Sequence, residues 1–336
     1  MSTFVYITAA GDNLILAYEM DGYGHLTLLH DIAVDGGPSA LASAANGQFL
    51  YCSLRDSDEL AAFAFEQDGS LRPLGRKSLD ADACYVAPDK TDRFLLSAYY
   101  GAAKVTVHRL GADGTVGELV CTAATAARAH CIETDLTNRY AFVPHPLDAN
   151  CLFQFLFDER SGRLTPNPAG STVDAPAGAG PRHFVFSLDQ RFVYTSDEDG
   201  SSVTAYRFDG GAADGALRSF QTLSTLPDGF AGENTCAQIH LHPSGYTLYV
   251  SNRGHDSLAV FAVDSASGAL SRRGWQQTEA VPRVFNIDPS GKFLVAAGQG
   301  TGKAASYAVD SESGELAPRH VCEVGEKPMW VLLRAV

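Results

Sequence analysis

Long apolar runs and an excess of basic charge are both missing from this sequence. No stretch of the 336 residues approaches the roughly 20 consecutive apolar residues of a membrane-spanning helix. Lys and Arg number 25 against 39 Asp and Glu, a net charge of -14, which repels nucleic-acid phosphates and anionic lipid. We therefore expect neither nucleic acid nor a membrane as a partner, whereas a small anion can still bind in a pocket of local cations.

Paired cysteines and the motifs of common cofactor sites are missing as well. The seven cysteines are odd in number and contain no CxxC pair, which is typical of reduced, buried thiols in the cytoplasm. The first residues lack the basic and apolar regions of a secretory signal, so the cytoplasm is the expected location. There is no GxSxG nucleophile elbow, and GQGTGK at Gly298 fits no phosphate-binding loop. His240 and His242 have no evident third metal ligand, so neither a cofactor nor a metal is predicted.

What is present is a repeat. Seven β-rich runs end in an aromatic or aliphatic triplet: FVY at Phe4, FLY at Phe49, FLL at Phe94, YAF at Tyr140, FVY at Phe192, TLY at Thr247 and FLV at Phe293. Successive triplets are 45 to 55 residues apart, close to the spacing of propeller blades. Each period has four strand-like segments joined by turns such as PSG and DSASG, which favour hairpins. The sequence predicts an all-β, seven-bladed β-propeller.

The two termini are expected to share one blade. The first period lacks its innermost strand, and the final GEKPMWVLLRAV resembles such a strand with no blade behind it. Residues from Met329 to Leu333 are therefore predicted to complete the blade that begins at Phe4, which leaves no exposed sheet edge. No linker interrupts the periods, so residues 1–336 are predicted to form a single domain.

The repeat also predicts which side chains gather at one mouth of the central channel. Counting twelve residues back from the end of each triplet reaches the start of an innermost strand, a set of six positions: Ser39, Cys84, His130, Arg182, Ala237 and Arg283. Counting four residues forward reaches the turn after the second strand, on the same face: Arg55, Tyr100, Pro146, Glu198, Arg253 and Gln299. Positions two residues inward from the first set are uniformly apolar and are predicted core: Leu41, Val86, Ile132, Phe184, Ile239 and Phe285.

This placement suits acid/base chemistry on an anionic substrate. His130 and Glu198 are candidates for shared general acid/base work, and Arg182 and Arg283 for binding an anionic group or a developing oxyanion. Four further side chains are candidates for substrate binding: His183, Arg253, Gln299 and Arg55. The alternative is that Arg182 and Glu198 form a structural ion pair and that His130 is a satisfied histidine between blades.

Four stretches carry a resemblance that runs nearly end to end: GAGPRHFVFSLDQRFVYTSDEDGSSV, AQIHLHPSGYTLYVSNR, QTEAVPRVFNIDPSGKFLVAAGQ and the terminal PMWV. In these the sequence resembles the cycloisomerase 2 or lactonase family of seven-bladed propellers. Matching the family's motifs places its implicated histidine, glutamate and two arginines on His130, Glu198, Arg182 and Arg283. The histidine lies in an AHC context here, whereas the family has a CHS-like one.

The resemblance implies ring opening, or the reverse closure, of a lactone. The favoured expectation is a lactonase that hydrolyses a sugar-acid lactone, either 6-phosphogluconolactone-like or an aldonic or aldaric lactone, with this small anionic lactone as its partner. Two alternatives stay open: a muconate-type lactonizing cycloisomerase, and a non-catalytic propeller that binds a ligand or a protein. We expect a monomer or a weak homo-oligomer.

Overall fold

Alternating Val-, Tyr-, Phe- and Leu-rich segments and Gly- and Asp-rich turns fold into strands throughout. The computed structural model describes residues 3–208, 210 and 215–335, which form seven antiparallel sheets arranged as propeller blades. Within these ranges the only helical element is a 3-10 helix at Leu147–Ala149. None of the described helical structure is long and apolar enough to cross a membrane. The predicted all-β, seven-bladed propeller is confirmed.

The strands are numbered along the chain and the blades from the N-terminus. Blade 1 contains β1 (Thr3–Ala9), β2 (Leu14–Met20) and β3 (Leu26–Ala33), with β29 (Pro328–Ala335) on its inner side. Blade 2 runs outward from the channel through β4 (Pro38–Ser43), β5 (Phe49–Leu54), β6 (Glu59–Phe65) and β7 (Leu71–Ser78). Blade 3 runs outward through β8 (Tyr85–Pro88), β9 (Phe94–Tyr99), β10 (Lys104–Leu110) and β11 (Val116–Ala124).

Blade 4 has five strands: β12 (Glu133–Thr134), β13 (Tyr140–His145), β14 (Cys151–Asp158), β15 (Arg163–Pro166) and β16 (Thr172–Asp174). Both β15 and β16 pair with β14. This added segment accounts for the longer spacing of 52 residues between the fourth and fifth triplets.

The last three blades return to four strands each. Blade 5 runs outward through β17 (Pro181–Phe186), β18 (Phe192–Asp197), β19 (Ser202–Phe208) and β20 (Leu217–Ser224). Blade 6 runs outward through β21 (Thr235–Leu241), β22 (Thr247–Arg253), β23 (Ser257–Val263) and β24 (Leu270–Gln277). Blade 7 runs outward through β25 (Pro282–Ile287), β26 (Phe293–Gly298), β27 (Lys303–Val309) and β28 (Leu316–Glu323).

Blade 1 is closed by strands from both ends of the chain. β29 lies antiparallel to β1, with Leu332 opposite Tyr6 and Trp330 opposite Thr8. The prediction that the segment from Met329 to Leu333 completes this blade is confirmed. The ring is therefore held shut by a backbone ladder, and the innermost strand of blade 1 comes from the far end of the sequence.

A repeated contact joins each blade to the next one. The first residue of each triplet packs on a glycine in the outer turn of the following blade: Phe4–Gly69, Phe49–Gly114, Phe94–Gly162, Tyr140–Gly215, Phe192–Gly268, Thr247–Gly314 and Phe293–Gly24. A Cβ on any of these glycines would lie 2.1 to 3.1 Å from the packed side chain. All seven also have φ between +56° and +89°, a region that glycine adopts readily. The turn glycines therefore serve both the hairpin and the blade seam.

The predicted inner layer is core. All six positions of that layer are at least nine-tenths buried: Leu41, Val86, Ile132, Phe184, Ile239 and Phe285. Since they lie two residues inward from the predicted mouth positions, this packed layer supports the bottom of whatever site the mouth contains.

Candidate active site

The two arginines predicted at the start of innermost strands lie in β-bulges. The pairing of β17 with β18 shifts register at Arg182, and the pairing of β25 with β26 shifts at Arg283. A bulge re-aims the side chain of its extra residue. Both arginines line the same cavity at one mouth of the channel.

This mouth cavity is narrow, with a volume of about 10 Å³. It is lined by side chains from several innermost strands and the loops before them: Ser39, Cys84, His130, Arg182, His183, Gln238, Arg283, Val284, Met329 and Trp330. Five of the six positions predicted to start innermost strands are among them. In β21, a bulge between Cys236 and Ile239 leaves Gln238, and not the predicted Ala237, among the lining residues.

Glu198 lies between two arginines from adjacent blades. Its Oε1 accepts a hydrogen bond from Nη2 of Arg253, and its Oε2 lies 3.6 Å from Nε of Arg182. The same Nη2 of Arg253 donates to the carbonyl of Cys236 at 3.0 Å. The structure therefore contains the ion pair between Arg182 and Glu198. Arg253 lies closer to the carboxylate of Glu198 than Arg182 does.

Cations outnumber anions in this part of the mouth. Arg182, only 2% exposed, retains two buried donors, Nε and Nη1, without a hydrogen-bond partner among the described residues, and Nε of Arg253 is in the same condition. Burial, then the charge of Arg283, lowers the pKa of Arg182. Burial, followed by the charges of Arg253 and Arg55, lowers the pKa of Arg283 to about 10, so this group is still charged at neutral pH. Buried donors left unpaired cost roughly 1–3 kcal/mol each, and an anion with several oxygens can accept from all of them.

His130 is paired with a second histidine. Nδ1 of His130 lies 3.2 Å from Nε2 of His183, and the ring centroids are 5.1 Å apart. Burial and, next, the charge of Arg182 lower the pKa of both imidazoles well below the usual value. Both rings are therefore neutral at neutral pH, as a base that must accept a proton requires.

Two of the predicted substrate-binding residues lie apart from this centre. Arg55 donates to Oδ2 of Asp82 from Nε at 3.0 Å and from Nη2 at 2.5 Å, and it lines a neighbouring groove of about 330 Å³. Gln299 donates from Nε2 to the sulfur of Met329 at 3.0 Å and is not among the residues that line the mouth cavity.

Several residues in or beside the mouth cavity were not predicted as site residues. Met329 and Trp330 line the cavity from β29. Trp330 lies opposite Thr8 in the second strand of blade 1, and His183 lies opposite Ser196 in the second strand of blade 5, so the two residues occupy equivalent positions. Extending the repeat count to the C-terminal strand is the signal that would have found them. Tyr100 contacts the ring of His130 edge to face, with centroids 5.5 Å apart. The repeat count placed Tyr100 at the mouth, but it was not named as a candidate site residue.

In the described ranges no three His, Cys, Asp or Glu side chains are grouped as metal ligands would be.

Comparison with known proteins agrees with this architecture. Residues 4–333 match the family described as "Lactonase, 7-bladed beta-propeller". A 6-phosphogluconolactonase of Pectobacterium carotovorum is 35% identical over 340 residues and covers all of both chains. One from Erwinia tasmaniensis is 32% identical over 99% of each chain. The solved structure of a periplasmic gluconolactonase from Pseudomonas aeruginosa superposes over all of both chains with a TM-score of 0.92 at 27% identity. The chain therefore belongs to the lactonase family of seven-bladed β-propellers.

Proposed function

We propose that this protein hydrolyses the lactone of a sugar acid that carries an anionic substituent, with 6-phosphogluconolactone as the first candidate. The observation that carries the proposal is the buried excess of positive charge at the mouth. Arg182 and Arg283 line the mouth cavity. The carboxylate beside it, Glu198, pairs with Arg182 and Arg253, and neither Glu198 nor Arg253 is among the residues that line the cavity. A phosphate monoester offers about two negative charges and three acceptor oxygens, which match this excess better than a neutral lactone does. The names of the relatives support the same substrate class.

In the proposed mechanism His130 is the base. Its Nδ1 is engaged by His183, which leaves Nε2 to accept a proton from water as the water oxygen bonds to the lactone carbonyl carbon. The arginines stabilise the tetrahedral oxyanion. Collapse breaks the bond between that carbon and the ring oxygen, and protonated His130 returns its proton to the ring oxygen. Glu198, held by Arg253 and adjacent to Arg182, positions the guanidinium groups, and this differs from the shared acid/base role expected from the sequence.

The test is acid release in a pH-stat, with the spontaneous rate subtracted. Wild-type protein is assayed on 6-phosphogluconolactone and on gluconolactone, with and without chelator. We expect kcat/KM to be at least about tenfold higher for the phosphorylated lactone, a difference of roughly 1.4 kcal/mol, and unchanged by chelator. Arg283→Gln should reduce this preference. No acid release above background from either lactone would overturn the proposal and would favour the cycloisomerase or the binding propeller.

The finer expectations about location and assembly are part of the same proposal. All seven cysteines are free, and five of them are buried, which supports a reducing compartment such as the cytoplasm. The Pseudomonas aeruginosa relative is titled periplasmic, so fractionation of the native host is the direct test. Light scattering coupled to gel filtration tests the expected monomer or weak homo-oligomer.

A further inference from the structure

His183 separates two cavities. On one side it lines the mouth cavity beside His130. On the other side it lines a second cavity of about 270 Å³. Residues near the turns that follow the innermost strands also line this second cavity, which therefore lies toward the opposite face of the propeller. The polar and aromatic residues around this opposite cavity include Tyr85, Lys90, Glu133, Gln190, Gln238, His240 and Trp330. Only His183, Gln238 and Trp330 line both cavities.

The histidine pair has the geometry of a proton relay. With His130 Nδ1 donating across the 3.2 Å contact to Nε2 of His183, Nε2 of His130 is a free base and Nδ1 of His183 carries a hydrogen. A proton that arrives on His130 can then move through Nδ1 to Nε2 of His183, which releases its other proton from Nδ1. Because His183 is buried, at 6% exposure, yet lines both cavities, the released proton can leave on the opposite face.

We propose that His183 relays the proton produced by lactone hydrolysis from His130 to water in the opposite cavity. This inference rests on the proposed function. Hydrolysis forms a carboxylic acid whose ordinary pKa is about 4, so at neutral pH each turnover leaves a carboxylate and one proton. Neutral His130 takes that proton from the new acid, passes its Nδ1 proton to His183, and His183 delivers a proton to water. No redox partner is needed, and the two imidazoles regain their starting tautomers by ring rotation or by exchange with water.

Electrostatics favour the opposite cavity as the exit. A proton leaving through the mouth must pass the guanidinium groups of Arg182 and Arg283, while product still occupies the cavity. The opposite cavity instead contains the carboxylate of Glu133, which accepts a hydrogen bond from Tyr85. The opposite cavity also contains the ammonium group of Lys90, so its charges offset each other. Positive charge is therefore repelled at the mouth, whereas the opposite cavity carries no excess of cations.

Two variants of His183 separate a relay from a structural role. His183→Gln keeps an acceptor for Nδ1 of His130 but cannot transmit a proton. We expect its kcat to fall at least about tenfold, within the range of proton-transfer effects, with KM changed less than about twofold. His183→Ala opens a space between the two cavities, so 4-methylimidazole entering from the opposite face should restore much of its kcat, and should not restore that of His183→Gln.

The matched control is His240→Ala, which enlarges the opposite cavity without touching His130. We expect its kcat to be near wild type and insensitive to 4-methylimidazole. Wild-type kcat in His183→Gln, or no rescue of a folded His183→Ala, would overturn the relay while leaving lactone hydrolysis by the wild type intact. If the wild type itself releases no acid, the proposed function fails first, and the two failures are thereby distinguished.

Discussion

Arginines at the mouth differ in how they are neutralised. Nη2 of Arg253 donates both to Glu198 and to the carbonyl of Cys236, so one guanidinium group joins the positioning carboxylate of blade 5 to the backbone of blade 6. Arg55 makes a comparable pair with Asp82, but in the neighbouring groove. The two residues therefore allow the same substitution to be compared inside and outside the proposed centre.

We predict that Arg253→Lys lowers kcat/KM for the lactone about tenfold or more. A lysine ammonium keeps the charge but does not reproduce the fork of donors that holds Glu198. Steady-state kinetics should show a much smaller loss, within about threefold, for Arg55→Lys. Equal losses would contradict the particular role of Arg253, and a larger loss in Arg55→Lys would place the reaction in the neighbouring groove.

Asp197 is a buried carboxyl beside the site. Its oxygens accept hydrogen bonds from the hydroxyls of Thr195, Ser202 and Thr204 at 2.7, 2.9 and 2.6 Å. Burial nevertheless raises its pKa from 3.8 to about 6, because the three hydroxyls only partly replace water around the charge. The folded protein therefore binds this proton more tightly than the unfolded chain does.

The raised pKa of Asp197 predicts how stability depends on pH. Its contribution is fully present below about pH 4 and is lost as pH rises through about 6. The loss amounts to about 3 kcal/mol, because each tenfold change in proton affinity corresponds to roughly 1.4 kcal/mol. The Asp197→Asn variant should lack this fall in the free energy of unfolding, because an amide does not titrate. Urea unfolding of both proteins between pH 4 and pH 7 measures it, and parallel stability curves would show that the carboxyl titrates normally.

At the scale of the element, the contact between a triplet side chain and a turn glycine defines the blade seam. In blade 5 Phe192 packs on Gly268 of blade 6, and Tyr194 donates its hydroxyl to the Gly268 carbonyl at 3.1 Å. The corresponding hydroxyls of Tyr6 and Tyr249 bond the carbonyls of Gly69 and Gly314. The second strand of one blade is thus joined to the outer turn of the next blade by a packing contact and by a hydrogen bond to the same glycine.

We predict that Gly268→Ala destabilises the protein much more than Gly47→Ala does. Both glycines have left-handed φ, +74° and +68°, so backbone strain of about 1–2 kcal/mol is common to the two variants. A Cβ at residue 268 would lie 2.3 Å from the Phe192 ring, whereas nothing lies within 4 Å at residue 47. Overpacking should lower the free energy of unfolding of Gly268→Ala by a further 1–3 kcal/mol or so, measured by chemical unfolding. Similar losses of stability in the two variants would mean that the Phe192 ring can move away from the added methyl group.

On the scale of the whole molecule, seven seams and one closing strand leave few thiols within reach of solvent. Cys121 and Cys322 are partly exposed, while the other five cysteines are buried. Burial raises the pKa of the Cys52 thiol to about 12, so this thiol is un-ionised as well as inaccessible.

We predict that a thiol reagent titrates at most two groups in the native protein and all seven after denaturation. Cys121→Ser with Cys322→Ser should abolish the fast phase without changing lactone hydrolysis, since neither residue lines the mouth cavity. Rapid reaction of more than two thiols in the native protein would indicate that the ring opens readily.

Repetition is the reason that much of this protein was predictable. A blade buries its faces only against neighbours of the same shape, so the triplets, the turn glycines and the number of blades must recur along the chain. The same regularity predicted the closing strand and brought Arg182, His130 and Arg283 to one mouth, because equal steps along the chain are equal rotations about the channel.

The partners of these residues depend on the folded molecule. A bulge arises from the pairing of two strands, and therefore it was the folded sheet that turned Arg182 and Arg283 into the cavity and exchanged Ala237 for Gln238. The repeat brings equivalent positions of adjacent blades to the same seam, whereas the bond that forms there depends on which side chains occupy them and on how they pack. The pairing of Glu198 with Arg253, and of His130 with His183, is of this kind. The periodic sequence dictates the ring and its mouth, whereas packing in three dimensions selects which side chains meet there.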